Sequence, residues 1–138
     1  MPRIRAAGPD DVGAVLAVWI GARSAGADRP DDPEEVELLM ERSPDGVLVA
    51  EVDDRIVGTV IAAWDGWRGG IHRLCVLPSH RRQGIGRALV DAGEESLRAK
   101  GVRRINILIY QADAGVGDLW TSRGYVTNPN IQRYWRDL

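Results

Sequence analysis

The segment Ile71-His72-Arg73-Leu74-Cys75-Val76-Leu77-Pro78, closely followed by Arg81-Arg82-Gln83-Gly84-Ile85-Gly86-Arg87-Ala88-Leu89-Val90, constrains the fold more than any other part of the chain. It reads as a strand, a short basic loop carrying two glycines, and an amphipathic helix. Glycines two residues apart let the backbone turn tightly and bring its amides close to a ligand without Cβ obstruction. The helix behind them opens with unpaired N–H groups and the positive end of its dipole. Together these make an anion site suited to a pyrophosphate. Arg81, Arg82 and Arg87 add positive charge on the same turn. The plainer alternative is a helix start that happens to be rich in glycine.

Spacing separates this loop from other phosphate-binding motifs. A P-loop needs Gly-x-x-x-x-Gly-Lys-Ser/Thr, and no Lys-Ser or Lys-Thr occurs here. A dinucleotide fingerprint needs a third small residue where Leu89 stands, and an acid about 20 residues further on. That later region holds Arg103 and Arg104.

A chain of 138 residues fits a single domain, residues 1–138, with a core of its own. No apolar run approaches the ~20 residues of a membrane span, and the opening residues lack the pattern of a secretion signal. The single cysteine, Cys75, excludes an internal disulfide and fits a reducing compartment. A cytoplasmic protein with no membrane partner is the expectation. The net charge of -2 conceals a segregation. Residues 28–54 hold eleven acids and two arginines, whereas residues 68–104 hold nine Lys and Arg and three acids. A basic half suits a polyanionic ligand, and an acidic half suits a cationic one or is simply a solvated surface. The small net charge and the lack of a continuous basic stripe argue against nucleic acid as a partner.

Periodicity gives the remaining elements. Ile4-Arg5-Ala6 forms a short first strand. Pro9-Asp10-Asp11 supplies cap chemistry for a helix on Val12, Val15, Leu16 and Trp19. Asp31-Asp32-Pro33-Glu34-Glu35 starts a second helix. Residues 47–52 and 55–62 read as a hairpin turning at Asp53-Asp54. The strand at 69–77 and the helix to about Lys100 follow, with Gly101 placed as a helix-ending glycine. Residues 102–110 form a largely apolar, interior strand. A helix from about Ala114 to Arg123 comes next, then terminal strands from Tyr125-Val126 and from residues 132–135. The result is an α/β domain: a mixed, mostly antiparallel sheet of about six to seven strands flanked by about four helices.

The Arg-x-x-Gly-x-Gly pattern of 81–86, preceded by Leu-x-Val-x-Pro at 74–78, resembles the acyl-CoA loop of the GNAT superfamily of N-acetyltransferases. The element order resembles the GNAT fold over nearly the whole chain. Val49-Ala50-Glu51-Val52, Val57-Gly58-Thr59-Val60 and Asp65-Gly66-x-Arg68-Gly69 add a likeness to the YpeA-like group of bacterial acetyltransferases. The resemblance implies acetyl-CoA as the donor, CoA as product and no metal. It places Leu74, Cys75 and Val76 on a bulged strand that meets the pantetheine arm through main-chain groups. It gives the pyrophosphate to Arg81, Arg82, Gln83, Gly84, Ile85, Gly86 and Arg87. Cys75 itself reads as a small buried residue rather than a nucleophile.

The implied reaction is direct transfer to an amine in a ternary complex, in which a base or water relay first takes the amine's proton and an acid then helps the departing thiolate. Many relatives carry Tyr on the last main helix, where this chain has Trp120. Trp120 can then hydrogen-bond the thiolate but cannot be the general acid, since indole N–H does not titrate as a phenol does near ~10. Asp113 stands where an Asn often contacts the pantetheine, and Leu108 where some relatives carry a catalytic Glu. For the base, His72 fits a neutral acceptor at physiological pH. Tyr110 and Tyr134 are alternatives. Trp19, Trp64, Asp65 and Trp67 lie in segments where the resemblance puts substrate contacts, and aromatics beside an acid can enclose a cationic amine. The acceptor is then a small amine, or a peptide N-terminus or lysine, and a homodimer is possible. The competing readings are a non-catalytic acyl-CoA-binding module and a partner-binding domain without cofactor.

Overall fold

The computed structural model describes residues 1–22, 30–109 and 116–138. Its strands are β1 (Arg3–Ala6), β2 (Val47–Val52), β3 (Arg55–Trp64), β4 (Gly69–Val76) and β5 (Ile105–Ile107). Its helices are α1 (Val12–Gly21), α2 (Pro33–Arg42), α3 (Ile85–Ala99) and α4 (Val116–Ser122), with 3-10 turns at Pro9–Asp11 and Pro78–His80. The strands lie in the order β1-β2-β3-β4-β5. The first three pairings are antiparallel, and β4 pairs with β5 in parallel.

Local chemistry explains most boundaries. Asp32 caps α2 by accepting the Glu34 amide at 2.9 Å, and Pro33 occupies the first turn, where its missing N–H costs nothing. The β2–β3 turn has Asp53 at φ 51° and Asp54 at φ 60°, the two-residue geometry that matches strand twist. The helix α3 ends as its sequence expects. Gly101 sits at φ 84°, with Val102 N–H reaching Leu97 O and Gly101 N–H reaching Arg98 O. Asp11 departs from its expected role as a cap on α1. Its carboxylate turns back to the Gly8 amide at 2.8 Å and forks with Arg5 at 2.7 and 3.0 Å, holding β1 to the start of α1.

Two apolar clusters sandwich the sheet. On one face α1 and α2 pack Val15, Trp19, Val36 and Met40 against Val47, Val49 and Ile61. On the other, Ile85, Leu89, Val90 and Leu97 of α3 meet Ala50, Val57, Val60 and Ile71, and Trp120 of α4 joins them. Side chains of this kind contribute roughly 1.5–3 kcal/mol each when buried, so α3 is fixed firmly on the sheet. The helix α4 is fastened to α3 by Arg123, which pairs with both Asp91 and Glu94, and by Tyr125 Oη donating to Glu94 at 2.9 Å.

The expected six to seven strands become five among the described residues. Tyr125-Val126 and residues 132–135 are not strands. Tyr125 is consumed by the end of α4, its N–H bonded to Trp120 O at 3.0 Å, and Val126 is 90% exposed. A turn in which Ile131 N–H reaches Asn128 O then breaks the extended run. The strand expected at 102–110 shrinks to three residues. Val102 closes the α3 cap, and Leu108 and Ile109 are exposed rather than interior.

Candidate active site

The opening between β4 and β5 is built from the parallel pairing itself. Only Gly69, Gly70 and Ile71 of β4 face β5, across from Ile105, Asn106 and Ile107. From His72 onward β4 keeps β3 on one side and, among the described residues, has no strand on the other, so a split opens along its edge. The register with β3 slips between Thr59 and Ile61, where three steps on β4 match two on β3. That bulge puts Arg73 at φ 52°, a left-handed backbone for a long side chain. The bulge falls where the resemblance to the GNAT fold places it, just ahead of Leu74, Cys75 and Val76.

Buried hydrogen bonds lock this geometry. Thr59 is fully buried; its Oγ1 donates to Arg73 O at 2.9 Å and accepts from Trp19 Nε1 at 2.9 Å. The Arg73 guanidinium lies 4.8 Å over the Trp19 ring and forks onto Asp31 at 2.5 and 3.0 Å. Beyond the bulge, Leu77 N–H bonds to Val57 O at 2.9 Å. Main-chain groups of successive strand residues point to opposite edges, so Val76 turns its own toward the split. Its carbonyl accepts from Arg81 Nε at 3.0 Å. Its N–H meets no acceptor among the described residues.

The glycine loop sits at the mouth of this split. Arg82 has φ 65° and Gly84 φ 81°, and Gly84 is the residue before α3. Ala88 is the first residue of α3 whose amide finds an in-chain acceptor, Gly84 O at 3.1 Å. The amides of Ile85, Gly86 and Arg87 therefore stay free at the positive end of the helix, as the loop reading requires. No side chain caps this helix start. A Cβ added at Gly86 would meet nothing nearer than Val76 Cγ2 at 3.9 Å, and one at Gly84 nothing within 4 Å. Protein packing does not call for glycine at 86; open space beside bare amides does. Arg81, Arg82, Gln83 and Arg87 are exposed around it. The donor set fits a pyrophosphate.

On the α1–α2 side of the split stands His72. Its Nε2 lies so close over Gly70 that a Cβ there would come within 2.7 Å. The imidazole stays solvent-accessible, yet surrounding protein lowers its pKa, and Arg133 and Arg73 push it further down. It is therefore neutral at physiological pH and able to accept a proton. Burial pushes the half-buried Cys75 thiol up, which keeps it protonated and unfit as a nucleophile. Tyr134 is 86% exposed and bonds to Gln132 in the tail. Tyr110 and Asp113 lie outside the described residues.

The expected substrate residues do not converge. Trp19 is buried and serves Thr59 and the bulge. Trp64 and Trp67 are exposed at the far end of the β3–β4 hairpin, about 17 Å along β3 from Thr59 at strand rise. Asp65 turns that loop: its carboxylate accepts the amides of Trp67 and Arg68 at 2.8 and 2.7 Å, which lowers its pKa. The Trp67 ring is already covered by Arg68 at 3.9 Å. Sequence reasoning missed Thr59, Arg73 and Asp31, since only the bulge brings them together. A groove of about 540 Å³ lies on the same face, between α1 and the β2–β3 turn. Within its charged lining, Arg5 pairs with Asp11 and Glu51. Among the described residues no cluster of His, Cys, Asp and Glu is placed to hold a metal, and no helix is long and apolar enough to cross a membrane.

Residues 16–125 match the acetyltransferase (GNAT) family. The chain belongs to that family. An acetyltransferase of Pectobacterium atrosepticum is 35% identical over 120 residues, covering 86% of this chain and 83% of that protein. The ribosomal-protein-alanine N-acetyltransferase of Brucella melitensis superposes with a TM-score of 0.74 at 26% identity, over 88% of this chain and 83% of that one. A Salmonella typhimurium protein solved with its cofactor acetyl-CoA shares the fold, with a TM-score of 0.76 at 22% identity over 90% and 79% of the two chains. The split strand, the bulge and the glycine loop are thus parts of a GNAT acetyltransferase.

Proposed function

We propose that this GNAT chain transfers the acetyl group of acetyl-CoA directly to a primary amine within a ternary complex, with a small amine favoured over a protein N-terminus or lysine. The observation that carries the reading is the run of free amides at Ile85, Gly86 and Arg87, set beside the unpaired edge of β4. Acetyl-CoA supplies an activated acyl thioester. The loop amides, with Arg81, Arg82 and Arg87, hold its pyrophosphate, and the β4 edge from Leu74 to Val76 aligns its pantetheine arm. The free Val76 N–H faces the split, where an amide donor can stabilise developing oxygen charge. An ammonium has no lone pair, so the acceptor must first lose a proton, and neutral His72 takes it directly or through water.

A non-catalytic acyl-CoA-binding module would share the loop but would have no use for a neutral imidazole held beside the split. Homodimer formation would bury Val126, Ile131 and Trp135, all well exposed in the single chain; light scattering measures it. The deciding experiment is calorimetric titration with acetyl-CoA and CoA, followed by thiol release with a panel of amines. Micromolar binding with turnover supports the reading. Binding without turnover on any amine returns it to the module, and no binding at millimolar ligand removes both.

A further inference from the structure

His72 and Arg73 are neighbours in the chain, yet both side chains stand on the α1–α2 face of the sheet. Ordinary strand alternation would send them to opposite faces. The bulge undoes it. Between the pairs Thr59–Cys75 and Ile61–His72, Val60 alone stands opposite both Arg73 and Leu74. Leu74 takes the α3 face with Val60, while Arg73 joins His72 and Cys75 on the other. A cation and a neutral imidazole thus sit side by side along the open edge of β4, their Cα atoms about 3.8 Å apart. The left-handed backbone of Arg73 carries strain, which persists only where the surroundings impose it. Buried Thr59, bonded to Trp19, imposes it by holding the Arg73 carbonyl. A surface ion pair alone is worth too little to call for this. The guanidinium is itself held on two sides: one face lies on the Trp19 ring, and the tip forks onto Asp31. Arginine has five N–H donors, and the fork takes two. The Nε edge has no acceptor among the described residues, and the Arg73 side chain is 40% exposed against 10% for Asp31. A fixed edge of this kind matches a carboxylate, which accepts two parallel N–H bonds. Arg133, stacked on Trp135, stands near enough to His72 to help lower its pKa and adds a second positive charge on this side.

We propose that Arg73 selects the acceptor: its free Nε edge binds a carboxylate of the substrate, so the amine acetylated beside His72 belongs to a small amino acid, with amine and carboxylate a few bonds apart. The inference rests on the acetyl-transfer reading and narrows its acceptor class. In the step, the ammonium first loses a proton to His72 or water. The nitrogen then bonds to the acetyl carbon, and the carbon–sulfur bond breaks with its electron pair on sulfur. The nitrogen gives its second proton to the thiolate or to water as the amide forms. The carboxylate is unchanged throughout. Arg73 holds it and moves no proton, because a guanidinium stays charged in proteins.

The test measures thiol release from acetyl-CoA by the full chain with glycine, β-alanine and γ-aminobutyrate, each against its amide and an alkylamine of matching length. For at least one spacing, the wild-type kcat/KM should favour the acid over its amide about tenfold or more, as bonds to a charged group imply. Arg73→Gln should bring that ratio near one. The ratio cancels the different basicities of the amines, which both proteins meet alike. Asp31→Asn separates recognition from tethering, because it removes the partner and leaves the guanidinium, so the preference for the acid should persist or rise. Equal use of acid and amide by the wild type, or release with the alkylamines alone, overturns the proposal and leaves acetyl transfer standing. A Arg73→Gln protein that is folded by its melting temperature and keeps the preference also overturns it. Equal loss of preference in Asp31→Asn and Arg73→Gln overturns it too, and makes the pair a tether for the segment before α2. No release with any amine overturns the acetyl-transfer reading along with it.

Discussion

Two glycines near the start of α3 face opposite demands. A Cβ at Gly58, on β3, would lie 3.0 Å from Leu89 Cδ1, 3.2 Å from Cys75 O and 3.3 Å from Ile85 Cγ2. The protein fills that space with itself, so the first turns of α3 can settle on the sheet. Gly86, one turn away, faces open space. The first glycine is explained by packing, the second by what must come near the amides. A bare sequence shows the same letter at both.

Substitution should separate them. The largest effect belongs to Gly86→Glu. A carboxylate among free amides should lower CoA affinity at least 100-fold, about 2.8 kcal/mol at 1.4 per decade, with the melting temperature nearly unchanged. Retained affinity in the calorimeter would show that the phosphates lie elsewhere. Gly84→Glu should weaken binding as strongly but also destabilise, because φ 81° strains any side chain. Next comes Gly58→Ala, expected to cost about 1–3 kcal/mol by overpacking. Denaturant unfolding measures it, and a neutral result would mean that Leu89 and Ile85 yield more easily than their burial implies.

The smallest effect concerns His72. Its folded pKa lies below the ordinary 6.5, so the unfolded chain binds the proton more readily. Stability should therefore be level above about pH 6.5 and fall as pH drops through the window beneath it. His72→Gln should flatten that slope. The same substitution should lower kcat more than CoA affinity if the imidazole takes the amine's proton.

The contrast between the glycines also marks what could be read in advance. The loop, α3 and its Gly101 ending were legible because each rests on chemistry within a few residues: free amides, an apolar stripe, a left-handed cap. The hairpin turn at Asp53-Asp54 was legible for the same reason. Trp19 was not. A tryptophan on the first helix reads as core more readily than as a ligand contact, and only its bond to Thr59, forty residues away, decides it. Arg73 carried no signal, since a strand sequence does not announce which residue a bulge will turn left-handed. The terminal strands failed on competition. Tyr125 had a place in an alternating pattern, but the end of α4 and Glu94 claimed it first. The attachment of α4 through Arg123 spans about thirty residues and has no local trace.

Val76 turns its main chain to the split and keeps its side chain for the core beneath. Peptide groups are the same whatever residue carries them, so an edge that recognises through them is indifferent to spelling. Leu74, Cys75 and Val76 can each be exchanged for another residue of fitting size without altering what the edge presents. Mutation can then wander along this strand while the acceptor side changes independently. A scaffold arranged in this way can diverge into many substrate preferences and still take the same donor.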